Sequence, residues 1–314
     1  MVLALWSAAG RPASAAQAEA RCRREFWVVD TRQAPLCRGL DQGVRQITYW
    51  KREPGRGLVR KSLAEFLAGV DPSLPTTVYV YGNAIKRRVA IKIAERLMDG
   101  IGRDVPAYRM ILWSWPSEHR WGIGLLENVA AKASWSESQG YYLAWLVDQI
   151  DVRTPLSLVG HSLGGRTVAA ALQGLATRRM AGYDLGPRKN TATAHRTMQA
   201  ALLAGAIDNR WLWPGWRYGQ ALTQVDRILV TRNPNDRLLR IYSNQQLPSG
   251  VRALGMTGIP DLEPRLGDQA ARVTTIDSRW AGRAHRWSKY ILTPEAQRLF
   301  RPFFFYEGDT ADRR

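Results

Sequence analysis

The 314-residue chain predicts an α/β fold, a mostly parallel sheet of about eight strands with helices on both faces. Three observations point there. Short apolar, β-branched runs alternate with longer helix-compatible stretches, and strands that alternate with helices build parallel sheets covered on both sides. Hydrophobic residues make up 45% of the composition, no repeat or low-complexity tract divides the chain, and that length and composition can bury one large core. Finally, Gly160-His161-Ser162-Leu163-Gly164 joins an apolar strand to a run of small helix formers, the turn such a sheet makes at the end of a buried strand.

Strands are expected near 26–31, 45–51, 77–81, 108–114, 155–160, 200–206, 226–231 and 271–276. The first two lack an obvious intervening helix and read as an antiparallel edge. Residues 1–24 read as a tail, 25–305 as the folded domain and 306–314 as a second tail. Within the first tail, Met1-Val-Leu-Ala-Leu-Trp6 is apolar and Ala13-Ser-Ala15 has the small residues of a cleavage site, the remnant of a signal peptide without its positively charged start. Export is therefore favoured over a cytoplasmic location. It would permit Cys22 to bridge Cys37, while two reduced cysteines in a cytosolic protein are the alternative. No run reaches the ~18 apolar residues of a membrane-spanning helix.

The Gly-x-Ser-x-Gly turn is the strongest chemical signal. A strand that turns sharply into a helix strains the serine backbone and lets the two elements pass closely only if glycines flank it, so Ser162 is presented as an aimed nucleophile. It needs a base, and the chain has four histidines. His161 adjoins the serine and is expected to point away across the turn; His119 lies before the serine, and His195 sits in a polar insert. His285 remains, on a loop after the apolar run Ala271-Arg-Val-Thr-Thr-Ile276. In the chain order serine, acid, histidine, the acid is Asp236 at the end of Arg232-Asn-Pro-Asn-Asp236, with Asp208 as rival and Asp277 too close to His285. Asp236 could equally be a helix N-cap. A glycine-rich structural turn, with His285 a surface residue, is the bland reading of the whole set.

With these residues in place, the chain resembles the α/β-hydrolase superfamily, and more narrowly a bacterial branch of largely uncharacterised serine hydrolases marked by a Ser-Trp-Pro-Ser segment, here Ser114-Trp115-Pro116-Ser117. The early Trp27-Val-Val-Asp-Thr-Arg32 strand, the Tyr81-Gly82-Asn83 turn, the elbow, Asn235-Asp236 and a late histidine follow in that branch's order over residues 25–300. The resemblance implies an α/β-hydrolase fold and a serine hydrolase. One departure stands out: Tyr81-Gly82 replaces the His-Gly that many members carry before the oxyanion hole. Because such a hole is built from backbone N–H groups, Leu163 with Asn83 or Ala84 can still supply it. An ordinary strand-to-helix turn is the other reading of Gly82-Asn83.

The expected activity is hydrolysis of a small acyl-ester or lipid substrate, carboxylesterase-like or lipase-like, through an acyl-enzyme. The alternative is a catalytically inactive hydrolase fold serving as a basic binding protein. No cofactor or metal is expected, since no C-x-x-C, H-E-x-x-H or phosphate-loop spacing occurs. The formal charge of +18 is spread through the chain and would draw the protein to anionic surfaces. No helix-turn-helix spacing or aromatic RNA-binding motif suggests specific nucleic-acid binding. Two segments are candidates for a lid: Glu118–Trp135 and the run holding Trp211, Trp213 and Trp216. These tryptophans either line an acyl pocket or seal the core.

Overall fold

A computed structural model describes residues 23–119, 122, 124–189 and 196–306. The tail that carries the signal-like features, Cys22 and His195 lie outside the described residues; Cys37 is exposed. The described strands are β1 (Arg24–Asp30), β2 (Thr48–Glu53), β3 (Gly57–Lys61), β4 (Thr76–Val80), β5 (Tyr108–Ser114), β6 (Leu156–His161), β7 (Arg179–Met180), β8 (Tyr183–Asp184), β9 (Met198–Leu203), β10 (Arg227–Arg232) and β11 (Val273–Asp277). Nine of them form one sheet in the order β11-β10-β9-β6-β4-β5-β1-β2-β3, and β7 pairs with β8 in a separate hairpin. From β1 to β11 every neighbouring pair is parallel, and only the β1–β2 and β2–β3 pairs are antiparallel. This is an α/β-hydrolase-like sheet.

The first two expected strands do pair antiparallel, as β1 and β2, but the edge lies one strand further out. β1 lies inside the sheet between β5 and β2, and the edge is the β2–β3 hairpin, so the sheet has nine strands rather than about eight. β3 escapes a reading of apolar runs because Gly-Leu-Val-Arg-Lys is short, ends in two charged residues and has no buried member. Charged residues there suit an edge, where they discourage pairing with other chains. The five central strands β1, β4, β5, β6 and β9, by contrast, are almost wholly buried.

Five long helices cover the sheet: α1 (Arg87–Gly100), α2 (Leu125–Gln149), α3 (Leu163–Thr177), α4 (Arg237–Gln246) and α5 (Pro294–Phe304). α2 and α3 pack so closely that a Cβ on Gly140 would collide with Ala170. On the opposite face, a row of polar residues in register across three strands, Thr77, Ser157 and Gln199, receives the end of α5. The Thr77 hydroxyl donates to Phe304 O, while Gln199 Nε2 donates to Pro302 O at 2.8 Å and to Ser157 Oγ at 2.8 Å. Carbonyls in a last helical turn lack intrahelical donors, so these buried polar side chains dock the helix by satisfying them.

The described parts of both lid candidates are tied into the fold; residues 120, 121 and 123 lie outside the described residues. Most of Glu118–Trp135 belongs to α2, with Gly122 at φ 82° ahead of it. Trp213 is buried and donates its indole N–H to Pro260 O at 3.0 Å; Trp211 packs on the core beneath the guanidinium groups of Arg166 and Arg217. The sealing reading therefore fits Trp211 and Trp213, and Trp216 is exposed.

Candidate active site

β6 ends at His161 and α3 begins at Leu163, leaving Ser162 alone to reverse the chain. Its backbone adopts φ 58°, ψ −121°, outside the regions open to L-residues without strain. Hydrogen bonds over-determine that conformation: Ser162 N donates to Leu203 O at 2.9 Å, and Ser162 O accepts from Gly165 N at 3.0 Å and Ala206 N at 3.2 Å. The glycines are dictated by contact. A Cβ on Gly160 would strike Gly164 O, and one on Gly164 would strike Val80 O.

The structure brings Ser162, His285 and Asp236 into one hydrogen-bonded line. His285 Nε2 lies 2.8 Å from Ser162 Oγ, and His285 Nδ1 lies 2.8 Å from Asp236 Oδ2. With the ring proton on Nδ1 donating a hydrogen bond to the carboxylate, Nε2 is an acceptor facing the hydroxyl. Three different strand ends supply the residues: Ser162 follows β6, Asp236 follows β10 and His285 follows β11.

Asp236 is fully buried. Burial opposes its charge, but hydrogen bonds from His285, Tyr290 and Leu239 N outweigh that cost and hold the carboxyl below the usual carboxylate range. Tyr290 donates to Oδ2 at 2.6 Å, and Leu239 N donates to Oδ1 at 3.0 Å. The N-cap reading and the contact with His285 are thus both correct descriptions of one residue, each using a different oxygen. Tyr290 is in turn held by Asn233, whose amide donates to its hydroxyl at 3.2 Å and to Gly282 O at 2.8 Å in the loop that carries His285. Asn233 lies in the 232–236 turn without any sequence signal for this role, Tyr290 belongs to no motif, and only the fold reveals what they do.

The rival acids are occupied elsewhere. Asp208 closes an Asx turn onto Arg210 N and pairs with the Arg210 guanidinium at 3.0 Å; Asp277 pairs with Arg232 and Arg279 at the surface. His119 is bonded to Asn128 at 3.0 Å.

His161 departs from expectation. Rather than pointing away, its ring packs against the His285 ring with centroids 5.1 Å apart and also faces Tyr290 and the Asp236 charge. Burial, reinforced by His285, pushes its pKa down to about 3. The folded state thus refuses a proton that the unfolded chain accepts below pH ~6.5, so His161 makes stability fall as pH drops from there toward 3, by up to ~1.4 kcal/mol per pH unit. Urea unfolding of the wild type and His161→Gln between pH 7 and pH 5 checks this. The wild type should lose stability faster; parallel pH curves would remove His161 as the cause.

The loop after β4 faces the serine. A Cβ on Gly82 would lie 2.9 Å from Ser162 Cβ and 3.1 Å from His161 O. Ala84, at φ 60°, donates its N–H to Ser117 O at 2.7 Å, so that donor is taken and the expectation for Ala84 is corrected. The N–H groups of Asn83 and Leu163 have no hydrogen-bond partner among the described residues. The Trp-Pro segment braces this loop. Trp115 Nε1 donates to Tyr81 O at 2.9 Å, Trp115 N donates to Tyr81 Oη at 3.0 Å, and Ile85 N donates to Ser117 Oγ at 3.3 Å. Arg32 adds a bond to Tyr81 Oη at 2.7 Å and an ion pair with Glu118. The tyrosine that stands where many hydrolases have histidine is therefore the fully buried anchor of the loop.

A cavity of about 790 Å³ opens against His285, Gly82 and Asn83, with Ile85, Ile93 and Trp287 among its apolar walls. Among the described residues, no group of three or more His, Cys, Asp or Glu side chains is arranged to hold a metal ion.

No protein-family model and no curated protein sequence matches the chain. Among solved structures, it is similar to an acetylxylan esterase at 14% identity over 74% of this chain and 97% of the other, with a TM-score of 0.38. An iodinated complex of acetyl xylan esterase follows at 12% identity, over 73% and 92%, with a TM-score of 0.33. A lipase-esterase related protein from Clostridium acetobutylicum reaches 10% identity over 73% and 93%, with a TM-score of 0.33.

Proposed function

We propose that this protein is a serine hydrolase of acyl esters, related to the branch marked by the Ser-Trp-Pro-Ser segment. One observation carries the reading: a serine on a strained strand-to-helix turn, 2.8 Å from a histidine whose other nitrogen is held by a buried carboxylate. A merely structural serine has no need of such strain, and backbone strain persists where surrounding contacts enforce it for function.

His285 removes the Ser162 proton as Oγ attacks the acyl carbonyl carbon. Asp236 fixes the imidazole tautomer and stabilises the imidazolium that forms. The N–H groups of Leu163 and Asn83 receive the developing oxyanion, where preorganised donors are worth most. His285 then passes its proton to the leaving alcohol, and water hydrolyses the acyl-enzyme by the same route in reverse. Neutral His161 lines the site without adding a positive charge beside His285.

Gly82→Ala tests the oxyanion loop. Its new methyl would press on Ser162 Cβ and His161 O, and a displacement of reacting groups by ~1 Å can cost on the order of 10²-fold. The expected result is a fall in kcat of that order with the fold retained by circular dichroism; unchanged kcat would remove this loop from catalysis.

The reading as a whole is tested by turnover of p-nitrophenyl esters from acetate to palmitate. Release of nitrophenol by the wild type and not by Ser162→Ala is expected. A folded protein that turns over none of them favours the basic binding protein instead.

A further inference from the structure

The cavity beside His285 has a charge pattern that a neutral ester does not require. Its lining includes Arg96 from α1, Arg237 at the start of α4, and Arg283 and Arg286 on either side of His285, with no Asp or Glu among the lining residues. None of the four guanidinium groups has an ion-pair partner among the described residues, whereas many other arginines of the chain are paired, for example with Asp148, Glu118 and Glu137. Four like charges around one cavity repel one another, and the carboxylate behind His285, Asp236, is buried and makes no ion pair with any of the four.

The helices sharpen the pattern. α1 begins with arginine behind Lys86 and carries no acidic residue in its first turn, although the partial positive charge of a helix N-terminus favours acids there; α4 also begins with arginine, its acidic N-cap Asp236 being buried and engaged with His285 and Tyr290. The cavity wall also has an apolar part, formed by Ile85, Ile93, Leu238, Ile241 and Trp287, and Leu238 and Ile241 are exposed at 52% and 40%. Exposed large apolar residues beside unpaired guanidinium groups match a ligand with a hydrocarbon part and an anionic part.

We propose that the cavity binds an anionic amphiphile, so that the substrate is an acyl ester that also carries a phosphate, sulfate or carboxylate. The arginines take the anion while the apolar wall takes the hydrocarbon. This rests on the hydrolase reading for its reaction but not for its binding, and the two can fail separately.

Equilibrium dialysis of Ser162→Ala against n-octyl phosphate and against n-octanol, both as monomers, reads binding without chemistry. Octyl phosphate should bind at least tenfold tighter. Arg283→Gln with Arg286→Gln should cut that preference severalfold, and raised salt should weaken it; Arg153→Gln, on a surface loop and paired with Asp151, should leave it unchanged. Equal binding of the two ligands, or a preference untouched by the double variant, would overturn the proposal. Vesicles of phosphatidylglycerol and of phosphatidylcholine separate the sources of the anion. Arginine-dependent binding to the anionic vesicles supports it with a lipid headgroup as the anion, and binding of octyl phosphate alone supports it with a soluble ester. Retained octyl phosphate preference in a protein that hydrolyses nothing would overturn the hydrolase reading and leave this one standing.

Discussion

Ser162→Ala is expected to lower kcat on an acyl ester by at least about 10⁴-fold, with His285→Ala matching it, because nucleophile and base act as one unit. The Ser162 hydroxyl oxygen is the atom that bonds to the acyl carbon, and among the described residues it is the hydroxyl hydrogen-bonded to His285 Nε2, at 2.8 Å. Stability should hardly change. Alanine inherits the same backbone, at φ 58° and ψ −121°, and the bonds from Gly165 N and Ala206 N reach the main-chain oxygen rather than the side chain. Ser162→Gly would relax the strain and should be the more stable of the two variants by ~1 kcal/mol. Thermal unfolding of both beside steady-state rates checks the pair. A His285→Ala enzyme with wild-type kcat would sink the assignment of the base.

The second large effect is Asp236→Asn, for which a loss in kcat of ~10³- to 10⁴-fold is expected. An amide at this position can still accept the Leu239 N–H and keep the helix capped, but it offers His285 a neutral partner and permits the wrong ring tautomer. The imidazolium that forms during attack then lacks its counter-charge. Asp208→Asn should leave kcat within severalfold of wild type, since Asp208 serves Arg210 and lies outside the line that joins Ser162 to His285. The reverse ranking would move the acid to the end of β9.

Much of this was legible in the sequence, and the rest was hidden for physical reasons. Central strands are buried on both faces, so β4, β5 and β6 appear as largely apolar runs broken only by buried polar residues such as Thr77, Arg109 and Ser157. β3 is half in solvent and polar, and no apolar run announces it. Ser162 was visible because its strained turn needs glycines in fixed places, a local demand that leaves a local pattern. Chain order favoured Asp236 over Asp208, yet both end an apolar strand and both cap a turn, and only the approach of β10 to β11 brings one of them to His285. The His161 ring, the Tyr81 anchor, and the Asn233 and Tyr290 support of Asp236 are long-range contacts with no periodicity or spacing to betray them. The arginines around the cavity come from three separate stretches of chain and read, in sequence, as a diffuse surface charge.

The measurement that tests the acyl-enzyme chemistry most directly is reaction of the purified protein with a fluorophosphonate, followed by peptide mass spectrometry. Such a probe phosphonylates an activated serine and expels fluoride. Stoichiometric labelling is expected, located at Ser162, abolished in Ser162→Ala and slowed at least about 10³-fold in His285→Ala. Labelling at another serine, or a folded wild-type protein that takes no label, would contradict the assignment of Ser162 as the nucleophile.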